Sequence, residues 1–491
     1  MKNLYLTTAL ALIASPTLAD ITPEELWQSW LEIGEMGMTL STGQQERQGN
    51  VLVLQDVKYE LDFALFNFAQ TFAEMRLEAL PDGSVSVTYD SNFTGSVSFS
   101  IAGGYSQSTT FIGQIENGSG LAVGSADDYI YEFSIGLMHQ TSTGNMGVTG
   151  DDVNTSMTSI MDIKDMTGQM HITRDIAGLN LTYTVNMGEL SNIQNALTTP
   201  AHGQAEIKQV LRMQTLGLTG EVVAFIPYSG ALEGLSVSAV TGVQSSSISQ
   251  KITSARVNMD MEIEQGPGTF TFLFDDQNFG LTINRQNASF TVASSQFGPQ
   301  PYSAQIANSH FALTLPHHPS DTPQNASIAL SFGGVTVSDS IWAFADPENT
   351  LSRTPADFEI AADFNATLLL DWANIEAVKA WEGMPAILHN ITLESFLVGF
   401  ENARIEGEGT VDFSTETDVP EPNGGTLSFT LTGIPALLEK LGGLPLVGPA
   451  TIAQANGMLG MFTSAGEGGA LVSEVEFGEG GFISVNGLQV K

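Results

Sequence analysis

The run TLSFTLTG, Thr426 to Gly433, decides the fold class. Along an extended chain Leu427, Phe429 and Leu431 point one way and Thr426, Ser428, Thr430 and Thr432 the other, because successive strand side chains face opposite sides of a sheet. SVSFSIAG (Ser96 to Gly103), LNLTYTV (Leu179 to Val185) and TFTFLF (Thr269 to Phe274) have the same construction. The rhythm recurs from about Val85 to Val490 in short runs cut by Gly, Asn or Asp. It predicts half-buried strands with one apolar and one Ser/Thr-rich face, hence a mainly β protein.

Working outward, Thr22 to Met38 reads as an opening helix. Thr22 suits the cap, Pro23 the first turn, and Glu24 and Glu25 the positive end of the dipole, while Leu26, Trp27, Trp30, Leu31 and Ile33 form its apolar side. Asp82-Gly83 is a hairpin signal between MRLEAL and SVSVTY, and turns are expected near Gly103-Gly104, Asn117-Gly118 and Asp127-Asp128. Between Gly188 and Gly220 the two-residue rhythm breaks. Leu190, Ile193, Leu197, Ile207, Val210, Leu211 and Met213 fall at helix-like spacings, so residues 189–220 read as a helical interlude connecting two halves. Strands follow from about Glu221 through Leu370. A brief helix is expected over Asp371 to Trp381, then strands, a second helical insert near 434–462, and closing strands around the turn Gly478 to Gly481.

The organisation expected is therefore residues 20–188, a helix and a β-rich half; 189–220, the interlude; and 221–491, a second β-rich half. An elongated, curved antiparallel sheet with a few short helices packed on it fits this strand number better than a compact barrel, since open sheets of many strands must curl or split. Two similar lobes and a single irregular sheet with inserts are both open.

Residues 1–19 read as a secretory signal, with Lys2 at the start, an apolar stretch from Leu4 to Ile13, Pro16, and Thr17-Leu18-Ala19 as the cleavage site before Asp20. No later window approaches the twenty apolar residues of a membrane span. The expected compartment is the periplasm. The whole chain carries 16 basic and 54 acidic residues, a net charge of −38. Loss of Lys2 with the signal leaves 15 against 54, or −39. A field of that sign repels phosphate backbones, which argues against nucleic-acid binding through a basic face. There is no cysteine, so neither disulfides nor thiolate chemistry enters.

The chemistry-bearing residues form no recognisable constellation. Seven histidines are present: His139, His171, His202, His310, His317, His318 and His389. The adjacent pair His317-His318, with Asp321 nearby, could offer metal ligands, but side chains of neighbouring residues diverge along an extended loop, and a solvated loop is the better reading. The pairs Asp127-Asp128, Asp151-Asp152 and Asp275-Asp276 lack the alternating ligands and glycine of a calcium loop and read as strand-end turns in which Asp accepts backbone hydrogen bonds. Gly118-Ser119-Gly120 and Thr463 to Gly466 lack the strand and long helix that flank a nucleophile elbow. Gly424-Gly425, Gly442-Gly443 and Gly478 to Gly481 are followed by no phosphate-binding lysine. Asn92, Asn180, Asn287, Asn325, Asn365 and Asn390 begin N-x-[ST] triplets, a pattern a Ser/Thr-rich chain produces by chance. No catalytic residue, metal ligand or cofactor site is assigned. The apolar strand face has two readings: an open groove that could hold acyl chains, or a core covered by the helices.

Three stretches after Leu431 carry a resemblance: LTGIPALLEKLGGL (Leu431 to Leu444), NGMLGMFTSAG (Asn456 to Gly466) and VSEVEFGEGGFISVNGLQV (Val472 to Val490). With the signal, the Trp27/Trp30 helix and Trp372, they resemble an exported alphaproteobacterial family catalogued as domain of unknown function 2125. The resemblance implies an envelope location and a β-rich fold, with no assigned reaction. The closing strand–turn–strand with Val485-Asn486-Gly487 is more distantly similar to AsmA-like envelope proteins, whose extended β-grooves are associated with lipid movement; a cleavable signal in place of a membrane anchor departs from them. The expectation is a non-catalytic envelope β-protein with a lipid or other apolar molecule as its ligand. The alternative is a secreted hydrolase using two carboxylates that the sequence does not locate.

Overall fold

The computed structural model describes residues 20–34, 38–63, 66–101, 105–148, 154–199, 206–228, 234–372, 375–415 and 419–491. The signal over 1–19, the Gly103-Gly104 turn, Asp151-Asp152 and His202 lie outside them.

The opening helix α1 runs Pro23–Gly34. Its start is a reciprocal cap: the Glu25 N–H donates to Thr22 Oγ1 (3.2 Å) and the Thr22 N–H to Glu25 Oε2 (2.9 Å), so two backbone donors without helical partners are satisfied. The sheet then begins with β1 (Thr39–Ser41) and β2 (Gln44–Gln48), two pieces of one edge strand on β3 (Val51–Phe63), which pairs with β4 (Phe66–Ala79). Across the Asp82-Gly83 turn, β5 (Val85–Tyr89) and β6 (Asn92–Ile101) both lie on β4. Next come β7 (Tyr105–Glu116) and β8 (Ser119–Ser125), both on β9 (Asp128–Val148). The longest strands follow: β10 (Asn154–Arg174), β11 (Gly178–Thr199) and β12 (Ile207–Pro227). A second split pair, β13 (Ser236–Val243) with β14 (Ser245–Thr253), lies on β12. Its partner pair, β15 (Asn258–Gln265) with β16 (Gly268–Phe274), lies on β17 (Asn278–Ser294).

The meander continues with β18 (Tyr302–Pro316), β19 (Gln324–Val337), helix α2 (Asp339–Ala345), β20 (Ala356–Leu368), α3 (Ile375–Ala380), β21 (Ala386–Phe400), β22 (Ala403–Ser414) and β23 (Glu421–Thr432). The helices α4 (Ile434–Leu441) and α5 (Pro449–Phe462) are inserted before the closing strands β24 (Ser464–Ala465), β25 (Leu471–Gly478), β26 (Phe482–Val485) and β27 (Leu488–Gln489). Every described pairing is antiparallel, and the pairing order follows the chain from the first edge to the last. The result is one elongated sheet that does not close into a barrel.

Where the structure describes the expected helical interlude, over 189–199 and 206–220, it is not helical. β11 and β12 pair there from Thr198↔Ile207 through Gly178↔Pro227, with one break at Gly188 and Gly217. The helix-like spacing has a structural cause. Asp165 on β10, Gly188 on β11 and Gly217 on β12 are skipped in adjoining ladders, and inward positions jump by three residues at that point, from Met187 to Leu190 and from Thr215 to Leu218. A strand interrupted in this way mimics the i, i+3 spacing of a helix. The short α2 is a second departure, falling in a stretch expected to be all strand.

These skipped residues form a line. Asp56, Asn117, Asp165 and Asn287 have φ of 53, 56, 53 and 51°, and Gly217 and Gly334 have φ of 58 and 66°. Each sits against a residue of the neighbouring strand that is also out of the ladder: Gly43, Gly136, Gly188 and Gly266 for the first four, Gln244 for Gly217, and Ala307 for Gly334. The registers connect them in a transverse row from β2 to β19. Left-handed backbone is tolerated best by Gly, Asn and Asp, which explains the residue choice. Each irregularity bends its strand, and because the bends align, the sheet is creased along one seam.

The compact core lies at the first end. Leu26, Trp27 and Trp30 of α1 pack with Leu54, Val57, Phe72, Met75, Leu77, Val85 and Val87. Each fully buried side chain of this size contributes at most about 2–3 kcal/mol. Arg174 fixes the helix, donating to Ser29 Oγ (2.7 Å), Glu32 Oε2 (3.0 Å) and the Ala126 carbonyl (2.6 Å). Glycines on this face are covered by rings across the strand pair, Gly95 by Phe111, Gly113 by Phe93, Gly168 by Phe133 and, far along the sheet, Gly407 by Phe429. The chain exposes 28064 Å² against the roughly 17500 Å² of a compact globule of its mass.

Candidate functional site

The apolar face that carries this core continues beyond it. On one side of the seam the inward row runs Tyr131, Met170, Tyr183, Val222, Ala239, Phe272, Leu281, Leu313 and Ile328, each opposite the next across paired strands. On the other side runs Met161, Asn192, Met213, Ile248, Ile263 and Phe290. Met157, Met259 and Met261 share that second wall, so it is rich in flexible thioether side chains able to fit irregular apolar surfaces. The two rows meet at the seam and make one continuous apolar strip, the trough.

The trough is covered at its β3–β9 end by α1 and open in the middle. Between β12 and β19 its inward side chains are mostly half-buried, and Phe270 and Phe290 remain 38% and 41% exposed. The helices therefore cover the sheet only locally. From β10 to β19 the inward positions hold no Asp or Glu. The charges stand on the opposite face, where Lys164 pairs with Glu189 (2.7 Å), His139 with Asp162 (2.6 Å) and Lys251 with Asp260 (3.4 Å). Two inward residues in this span are charged: Arg174, which is held against α1 by Ser29 and Glu32, and Arg285.

The residues singled out in the sequence are scattered. His317 is not on a solvated loop; it is 5% exposed, stacked on Phe274 at 4.5 Å between ring centroids, and its Nε2 lies 2.6 Å from the Asp275 carbonyl. The apolar Phe274 ring draws it in; the Asp275 carbonyl partners Nε2, while Nδ1 is buried with no hydrogen-bond partner among the described residues. His318 faces Asp371 (3.4 Å) instead of Asp321. His171 meets Asp128 (2.9 Å), His310 meets Asn284 (2.7 Å), and His389 meets Thr367 (2.8 Å). Asp275 Oδ1 accepts the Gln277 and Asn278 N–H groups (2.8 and 2.7 Å) and Asp276 that of Gly234 (2.8 Å), as strand-end turns require. Ser119 lies in a strand against Ser134 (3.0 Å). Among the described residues no three His, Asp or Glu gather as a metal would need.

Titration behaviour follows packing. Burial pushes the Tyr129 hydroxyl up to about 12, against the smaller downward effects of Ser29 and Arg174. Burial likewise raises Tyr59, Tyr89, Tyr131 and Tyr183. The carboxylates with a clear change are held below their ordinary range: Asp82 by the Ser84 hydroxyl, Glu189 by Lys164 and Glu401 by Lys440. Burial would raise Asp346, but the Leu351 and Thr350 N–H groups and Arg353 more than offset it. A general acid needs the opposite shift.

No protein-family model matches this chain, and no curated protein matches it.

Proposed function

We propose that the protein is a non-catalytic component of the cell envelope, exported to the periplasm by residues 1–19, whose trough holds a lipid acyl chain or a comparable apolar molecule. The observation that carries this reading is the open stretch between β12 and β19, where Phe270, Phe290 and their neighbours line one apolar face and stay half-exposed. Contiguous exposed apolar surface on a protein this acidic marks a binding site. Flexible methionines beside aromatic rings suit a ligand without rigid shape. The resemblance to the domain of unknown function 2125 family supports the envelope location. No residue is assigned to hydrolysis, because the carboxylates with altered acidity are engaged in caps, turns and ion pairs.

Native mass spectrometry and solvent extraction of protein purified from its source test the reading. Apolar molecules should copurify, and Phe272→Asp with Ile283→Asp should release them while far-UV circular dichroism stays β-type. Ligand-free protein that also fails to take up an added long-chain alcohol would refute it.

A further inference from the structure

We propose that Arg285 is the anchor for an anionic headgroup at the floor of the trough; this rests on the reading of the trough as an apolar-ligand site and specifies its ligand as an amphiphile with a carboxylate or phosphate. Arg285 follows Leu281 and Ile283 in the inward positions of β17, where the pattern calls for an apolar side chain. It stands beside the seam, two residues before Asn287, and lies across Gly268: a Cβ built there would be 2.5 Å from Arg285 Cδ and 2.7 Å from Nη1. Glycine at 268 thus provides the room in which the guanidinium lies flat on the inner face.

Among the described residues the guanidinium has no counter-charge. Its Nη1 is shielded from solvent and has no hydrogen-bond partner. Nine other basic residues, Arg47, Lys58, Arg76, Lys164, Arg174, Lys251, Arg353, Arg404 and Lys440, each pair with a carboxylate. In a chain with 54 acidic residues, an arginine with a shielded Nη1 that no described carboxylate pairs with is anomalous. A shielded, unpaired cation is costly, and an anion with planar or tetrahedral oxygens completes it by bidentate hydrogen bonding. The side chains aligned with Arg285 across the strands supply the tail site: Val243, Leu218 and Met187 on one side, Ser309 and then Phe332 on the other. From β17 back to β10 is five strand spacings, roughly 24 Å, the reach of a long-chain acyl group.

Calorimetric titration of the full chain, stripped of bound lipid, with palmitate, hexadecyl phosphate, hexadecanol and inorganic phosphate tests this. The acid and the phosphate ester should bind at least tenfold more tightly than the alcohol. Arg285→Gln should remove that advantage while leaving hexadecanol within twofold, and Arg285→Lys should restore part of it. The ratio of palmitate to hexadecyl phosphate then tells a fatty acid from a phospholipid-type head. Equal binding of acid and alcohol by the wild-type protein would overturn the anchor and leave the trough reading standing. Binding of inorganic phosphate as tight as the ester would overturn the amphiphile. Failure of every long-chain compound, the alcohol included, would instead remove the trough reading. The wild-type ratios decide the matter even if Arg285→Gln does not fold.

Discussion

Gly113→Ala should destabilise the covered end of the sheet, and the structure sets how much. A methyl group at 113 would stand 2.0 Å from Phe93 Cζ and 2.4 and 2.5 Å from the two Cε atoms, where carbon atoms settle at about 3.5–4.0 Å. The Phe93 ring is 3% exposed and cannot swing away. Phe72 stands 5.7 Å and Phe111 6.2 Å from it by ring centroids, and Phe111 itself lies over Gly95. Overpacking of this kind costs about 1–3 kcal/mol, and the lower entropy of alanine in the unfolded chain returns about 0.5–1 kcal/mol. A net loss of about 1–2 kcal/mol is expected. Urea unfolding followed by the fluorescence of buried Trp27 and Trp30 measures it in the region that matters. The decisive comparison is a double-mutant cycle with Phe93→Leu, which removes the ring atoms the methyl group meets. Gly113→Ala should cost at least 1 kcal/mol less in that background. Additive effects of the two substitutions, within about 0.5 kcal/mol, would refute the ring-on-glycine reasoning.

Ser29→Ala removes the hydroxyl that lies 2.7 Å from the Tyr129 hydroxyl and accepts from Arg174, so α1 should loosen by about 1–3 kcal/mol; faster hydrogen exchange of α1 amides checks this. At high pH, Tyr129 keeps its proton to about 12 in the folded state, while an unfolded tyrosine loses it near 10. The stabilisation is therefore complete below about pH 10 and lost as pH rises toward 12, and tyrosinate absorbance from the buried ring should appear only with unfolding. Tyrosinate formation by every tyrosine near pH 10 with circular dichroism unchanged would contradict this. Phe429→Asp should lower the melting temperature far more than Thr430→Asp, because Phe429 lies over Gly407 with its ring 6.1 Å from that of Phe396, while Thr430 points to the other face; equal effects would reverse the face assignment.

The chain's own residues decided a good deal. Strand periodicity is local, since a side chain's face depends only on its neighbours, and Leu427, Phe429 and Leu431 do share the inner side. The cap at Thr22, the turn at Asp82-Gly83, and α4 and α5 inside 434–462 were legible because capping and turn chemistry are also local. The seam was not. A left-handed residue at Asp165 or Asn287 is chosen by alignment with irregularities on strands far away in sequence, and the three-residue step it introduces into the apolar pattern reads as helix. Arg285 was missed for a related reason. Its signal was a charge at an apolar position after Leu281 and Ile283, but only the packing of six or more strands shows that no described carboxylate pairs with it. Whether the apolar face is open or covered also required the tertiary structure, because burial depends on what arrives from elsewhere in the chain, and α1 reaches only the first end of the sheet.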